Sequence, residues 1–219
     1  MYLAKVRKRK KRRRVSGRRR RKNVPRSVLY GMTFLAFLAF LTLIFFDYHS
    51  QEAANPTSAD TSQSSQDTTT ISFIQTIGES ARQIAAQNDL YGSVMIAQAI
   101  LESNSGQSKL SQAPNYNFFG IKGDHKGQSV TMQTWEDDGN GNSYTIDAQF
   151  RSYGSLEESL QDYAQFLQKD LYVGVHKSRT ASYQDATAAL TGTYATDTSY
   201  GSKLNQLISE YDLTIYDSW

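Results

Sequence analysis

The 219-residue chain contains no cysteine. That excludes a disulfide framework but leaves the compartment open, because an oxidising environment permits disulfides without requiring them. Its three histidines, His49, His125 and His176, are scattered, lack metal-ligand spacing and read as solvent-exposed side chains. No internal repeat of the kind that builds solenoids or wall-binding arrays is present. One stretch, Asp138-Gly139-Asn140-Gly141-Asn142, begins like a calcium loop. It has Ser143 where that loop needs glycine and Gln149 where it needs glutamate, so its Asn-Gly step reads as a hairpin turn. No metal or cofactor is expected from these features. Acids are missing from the start of the chain, where none precedes Asp47, and charge of either sign is missing from residues 28–46.

Those last two absences divide the chain. The formal net charge of +3 conceals opposite halves, since 15 of the 24 Lys+Arg lie in residues 1–26. Nine bases then face all 21 acids beyond residue 46, a net of −12. A basic arm of this kind, residues 1–27, suits nucleic acid or a membrane surface, and the segment after it favours the membrane. Residues 28–46, VLYGMTFLAFLAFLTLIFF, span about 28 Å as a helix, close to the hydrocarbon thickness, and show no polar face. Basic residues on the N-terminal side place that side in the cytoplasm, with the arm against anionic lipid head groups. A cleaved signal peptide competes with this reading. Its apolar region is ordinarily roughly 7–15 residues, and the small-residue cleavage candidate, Ala53-Ala54, lies well past the segment. We adopt the uncleaved transmembrane signal anchor, with the rest of the chain outside the cell and no nucleic-acid partner.

Residues 47–70, rich in Ser, Thr, Gln and Asp, read as a disordered extracellular tether with a typical reach of roughly 25–30 Å. Residues 71–219 are the right size for one compact domain, read as a monomer. Apolar positions 74, 77, 81 and 84 give a helical stripe over residues 73–87, and residues 91–102 form a second helix that is apolar nearly all round, hence central. The Gly-, Asn- and aromatic-rich stretch SKLSQAPNYNFFGIKGDHKG reads as a structured loop. The period then changes to two. Val130, Met132, Thr134 and Glu136 share one strand face, and Tyr144, Ile146, Ala148 and Phe150 share another, with DDGNGN as the turn between them. Ser155 and Glu158 make a capping box ahead of the stripe Leu156, Leu160, Tyr163, Leu167. Two short helices follow, over 183–190 and 200–211.

The chemistry gathers at AQAILESNSG, residues 97–106. A glutamate, Glu102, ends the apolar helix, where burial and the negative end of the helix dipole both favour its protonated form. That is the state a general acid needs near neutral pH. The alternative is a glutamate that reaches solvent at a frayed helix end. Tyr116, Phe118, Phe119, Trp135 and Tyr194 are candidates for stacking on sugar rings or for packing in the core.

The segment VMIAQAILESNSGQSKLSQAPNYNFFGIKG resembles the signature of the bacterial glucosaminidases of glycoside hydrolase family 73, and TMQTWEDDGNG, FRSYGSLEESLQDYAQFL and TYATDTSYGSKL continue the match. The resemblance implies an α+β, lysozyme-like fold with a mostly helical lobe and a small β-hairpin lobe. It implies a peptidoglycan substrate, and it puts the family's catalytic acid on Glu102, the second, hairpin-borne carboxylate on Glu136 and the neighbouring tyrosine on Tyr200. It also makes Asn117, Phe118, Phe119 and Gly120 substrate-lining residues, to which we add Tyr194 as a sugar-binding aromatic. The sequence departs from the family where a Gly-Trp-Gly-like turn follows the acid. Here the turn is Asn104-Ser105-Gly106. Asp137 and Asp138, beside Glu136, read as turn residues. A second carboxyl or the substrate's own acetamide can complete the reaction, and the residues leave that choice open. The expected activity is a membrane-anchored hydrolase that cuts the β-1,4 bond after N-acetylglucosamine. Its rivals are a lytic transglycosylase, which manages with one acid, and a catalytically silent wall-binding or division-scaffold module.

Overall fold

In a computed structural model, the structure describes residues 56–137 and 143–218, with only the backbone for 56–63, 135–137 and 143. The organising element is helix α2, Gly92–Ser103, buried over almost its whole length. Helix α1, Pro56–Gln87, packs along it through the predicted stripe, with Ile74, Ile77, Ala81 and Ile84 all buried. The chain then forms strands β1, Ser129–Asp137, and β2, Ser143–Arg151, followed by helices α3, Leu156–Phe166, α4, Tyr183–Leu190, and α5, Tyr200–Glu210. Short 3-10 turns, which the sequence did not announce, occupy Asp170–Val175, Lys177–Arg179 and Leu213–Asp217.

Helix α2 is tied down at its start from the far end of the chain. Asp217 accepts hydrogen bonds from the Ser93 backbone N–H (2.8 Å) and the Ser93 hydroxyl (2.7 Å). This supplies the carboxylate that the positive end of the dipole favours, because Tyr91, at the N-cap, makes no side-chain cap of its own. At the other end Asn104, Ser105 and Gly106 all take positive φ. The Asn104 backbone N–H returns to the Ile100 carbonyl. Gly106 is required here, because a Cβ would stand 2.8 Å from the Phe73 ring.

The tether expectation is corrected over residues 56–70, which form the first half of α1. The hydroxyls that made this stretch look disordered bond back within the helix instead: Thr68, Thr69 and Thr70 donate to the carbonyls of Ser64, Ser65 and Gln66 at 2.8–3.1 Å. Thr70 is buried and shares a 2.8 Å hydrogen bond with Ser105, and the Tyr211 hydroxyl donates to Asp67 (3.3 Å). The folded unit therefore begins before Ile71. The basic arm, the apolar segment 28–46 and residues 47–55 of the tether lie outside the described residues. Among the described residues, no helix is long and apolar enough to cross a membrane.

The two strands form one antiparallel hairpin in the register Val130↔Phe150, Met132↔Ala148, Thr134↔Ile146, Glu136↔Tyr144. Leu110, Ala148 and Phe150 make a small core under its base. The same base is fastened to α3 by Asp162, which accepts from Arg151 and from the Tyr153 hydroxyl (2.7 Å). His125, read from sequence as exposed, joins this group: its Nδ1 lies 3.2 Å from Asp162 and its ring packs on Tyr153 at 4.9 Å. The turn, residues 138–142, lies outside the described residues. Ser155 caps α3 by accepting from the Glu158 N–H. The reciprocal arm goes one residue further back than a capping box requires, with Glu158 accepting from the Gly154 N–H (2.9 Å).

Candidate active site

Glu102 stands in the last turn of α2 and is 3% exposed. Its surroundings are the apolar packing of α2 against α1 and α5, so a charge there has little water to stabilise it. Burial pushes its carboxyl up to about 8, and the one opposing effect is the hydrogen bond from Tyr200. Tyr200, the first residue of α5, is fully buried and donates to Glu102 Oε1 at 2.7 Å. The acid and the tyrosine, 98 residues apart in sequence, are brought together because α2 and α5 cross in the core.

Two residues that sequence reasoning did not single out as functional complete this arrangement. Gln98, one turn before Glu102 on α2, donates from Nε2 to the Tyr200 hydroxyl at 2.9 Å. Tyr163 on α3 donates to Gln98 Oε1. All four side chains are buried. The signal for Gln98 was present in the sequence as a polar amide four positions before the acid, inside the apolar run of α2; Tyr163 stood in the predicted stripe of α3 with nothing to set it apart from core packing. Tyr194 holds the Tyr200 ring from the side, with centroids 6.1 Å apart and planes within 17°.

The residues expected to line substrate are placed differently. Asn117 is a loop brace. Its Oδ1 accepts from the Ile121 N–H, and its Nδ2 donates to the carbonyls of Ile121 and Arg151, all at 2.9–3.0 Å. Phe118 and Phe119 are buried, the first edge-on to Phe73 and the second stacked on Tyr163 at 3.8 Å. Tyr194 is buried too, and its hydroxyl donates to the Phe119 carbonyl at 3.0 Å. Asn117, Phe119 and Tyr194 are committed to these internal contacts, while Phe118, though buried, borders an open groove. Gly120, at φ 63°, is partly exposed through its backbone. Beside the turn after Glu102 runs an open groove of about 520 Å³, lined by Thr69, Phe73, Gly106, Gln107, Tyr116 and Phe118 among others. Glu102 is not among the residues that line it.

Glu136 is on β1 opposite Tyr144. Strand alternation puts position 136 on the face of Val130, Met132 and Thr134, which are half-buried, half-buried and buried in turn. Its side chain, like those of Trp135 and Asp137, is outside the described residues, as is all of Asp138.

A mostly helical α+β fold with a carboxylic acid buried at the end of its central helix and a small two-stranded hairpin beside the helical lobe is a lysozyme-like scaffold. The chain belongs to the glucosaminidase family, whose model, described as mannosyl-glycoprotein endo-beta-N-acetylglucosaminidase, matches residues 78–213. An autolysin of Enterococcus faecalis is 53% identical over 153 residues, covering 67% of this chain and 21% of that protein. A probable N-acetylmuramidase of Lactococcus lactis subsp. cremoris is 52% identical over 151 residues, covering 66% of this chain and 34% of that protein. This chain thus spans between a fifth and about a third of the length of these relatives. Among solved structures, the catalytic domain of the autolysin Auto from Listeria monocytogenes is 44% identical with a TM-score of 0.66, covering 81% of this chain and 97% of that one.

Proposed function

We propose that the chain is a peptidoglycan hydrolase that cleaves the β-1,4 bond after N-acetylglucosamine within glycan strands. The observation that carries this reading is the buried Glu102, kept protonated into the neutral range and oriented by Tyr200. Cleavage of a glycosidic bond needs a proton on the leaving oxygen and a second function to meet the cation that develops. Glu102 supplies the proton. Glu136, carried by the hairpin, supplies the second function. The tyrosine hydroxyl already points at the oxygen that becomes charged, so the site needs no reorganisation when the proton leaves.

The anchor belongs to the same proposal. Residues 28–46 cross the membrane, residues 1–27 lie on anionic lipid, and the catalytic unit works outside on membrane-proximal glycan as a monomer. Residues 71–219 hold nine bases and 17 acids, a net of −8, so anionic wall polymers repel the domain and the anchor is what keeps it near substrate. Because residues 56–70 are helical, the connection is stiffer than a flexible tether. About 22 Å of it is a rigid rod at 1.5 Å per residue, leaving only residues 47–55 between rod and membrane segment.

Mass spectrometry of muropeptides released from purified walls by the full chain tests the activity. Reducing N-acetylglucosamine ends are expected. Reducing muramic ends would make it a muramidase, anhydro-muramic ends a lytic transglycosylase, and no release at all a silent wall-binding module.

A further inference from the structure

The polar chain behind Glu102 has a direction, and the direction has a cause. Each hydroxyl has one proton to give, whereas the Gln98 amide gives from nitrogen and accepts at oxygen. Starting from the buried end, Tyr163 gives its proton to Gln98 Oε1, Gln98 gives from Nε2 to the Tyr200 oxygen, and Tyr200 gives its proton to Glu102 Oε1. The opposite direction needs the amide turned over. Tyr200 would then give to Gln98 Oε1 and accept the Glu102 proton, and the Tyr163 proton would lose its acceptor in a fully buried site. Tyr163 has no second acceptor among the described residues, and stranding a buried donor is the costly outcome. The amide is therefore held one way up by a hydroxyl that never approaches the acid.

Resting on the reading of Glu102 as general acid, we propose that Gln98 and Tyr163 are positioning residues that confine the acidic proton of Glu102 to Oε2. Oε1 is engaged as an acceptor from Tyr200 in both ionisation states. The only oxygen that can carry and deliver the proton to a glycosidic oxygen is then Oε2, the one not bonded to the tyrosine. Burial, and after it the Glu102 charge, hold the hydroxyls of Tyr163 and Tyr200 well above their ordinary range, so both remain donors at any working pH.

The test uses the purified full chain on soluble glycan strands, with Glu102→Gln measured in parallel. Tyr163→Phe removes one hydroxyl and keeps the ring stacked on Phe119. Gln98 is then free to turn over, Tyr200 accepts from the acid, and the carboxylate product loses its donor. The expected result is a kcat lower by roughly tenfold with KM unchanged, and an alkaline limb of the pH profile moved upward by about one unit, because the protonated form gains a partner. Simple loosening of the core would admit water and move that limb downward. Adding Gln98→Leu to Tyr163→Phe leaves Tyr200 with only Glu102 to donate to, and should recover several-fold of the lost rate and return the limb toward its original position. An inactive Glu102→Gln beside a Tyr163→Phe variant with wild-type kcat and limb, or with a limb moved downward, overturns the positioning role and leaves the acid assignment standing. An active Glu102→Gln removes the acid assignment itself.

Discussion

The two carboxylates assigned to the chemistry sit in opposite mechanical settings. Glu102 is on a helix buried on nearly every side, capped from residue 217, closed by a positive-φ turn and oriented through three further buried side chains. Glu136 stands near the tip of a two-stranded hairpin whose base is anchored by Asp162 and a small core, while its outer half leaves Tyr144 47% and Ile146 39% exposed. A residue on an immobile support keeps a perturbed protonation state, because nothing can move to let water in. Position 136 lies two residues beyond Thr134, which is buried on the same strand face. Under the proposed reaction, the residue on the buried helix is the acid and the one on the hairpin is its partner.

The largest effect should come from breaking the rigid side. Glu102→Gln keeps the shape and removes the ionisable proton, and activity should fall by roughly a hundredfold or more. Stability should move the other way with pH. The folded carboxyl titrates at about 8 against an ordinary value of 4.5, so between those values the folded state holds a proton that the unfolded state has released, and the wild type loses stability as pH rises. Thermal melts should show the two proteins alike near pH 4.5 and the variant higher by about 5 °C near pH 8. A variant that melts lower at pH 8 would mean the acid is not strained by burial.

On the hairpin side, Glu136→Gln should cost activity by roughly tenfold or more with little change in melting temperature, and Asp137→Asn should cost much less. Strand alternation motivates the order, since position 137 is on the opposite face from 136. A larger loss from Asp137→Asn would place the partner function on the wrong residue.

The smallest effect on rate tests what holds the acid's helix end. Thr70→Val removes the hydroxyl shared with Ser105 at 2.8 Å and leaves a buried group unpaired. The expected cost is about 1–3 kcal/mol of stability, read by chemical denaturation, with activity changed less than threefold. An unchanged denaturation midpoint would show that the first half of α1 contributes nothing to the folded unit.

The rigid side of this comparison was partly legible in the sequence. The stripe at 74, 77, 81 and 84, the all-round apolar helix and the acid at its end follow from periodicity, and the strand register follows from alternation about an Asn-Gly turn. The resemblance placed Tyr200 at the acid. Residues 56–70 were not legible, because Ser/Thr composition alone does not distinguish hydroxyls bonded to water from hydroxyls bonded to carbonyls four residues back. The contacts of Thr70 with Ser105 and Tyr211 depend on the fold. Phe119 and Tyr194 were ambiguous for a related reason: an aromatic has the same identity whether it faces a sugar or a core, and only packing against Tyr163 and Tyr200 shows that these two are core. Gln98 was visible as a polar residue in an apolar helix, but its meaning required the two tyrosines that meet it from α3 and α5.

The central claim is that burial keeps Glu102 protonated into the neutral range. A carbon-13 NMR titration of the side-chain carboxyl, assigned by difference against Glu102→Gln, measures this directly. A midpoint near pH 8 is the result expected from the structure. A midpoint near 4.5, the ordinary value for a glutamate, would contradict it, and the assignment of Glu102 as the acid at neutral pH would fall with it.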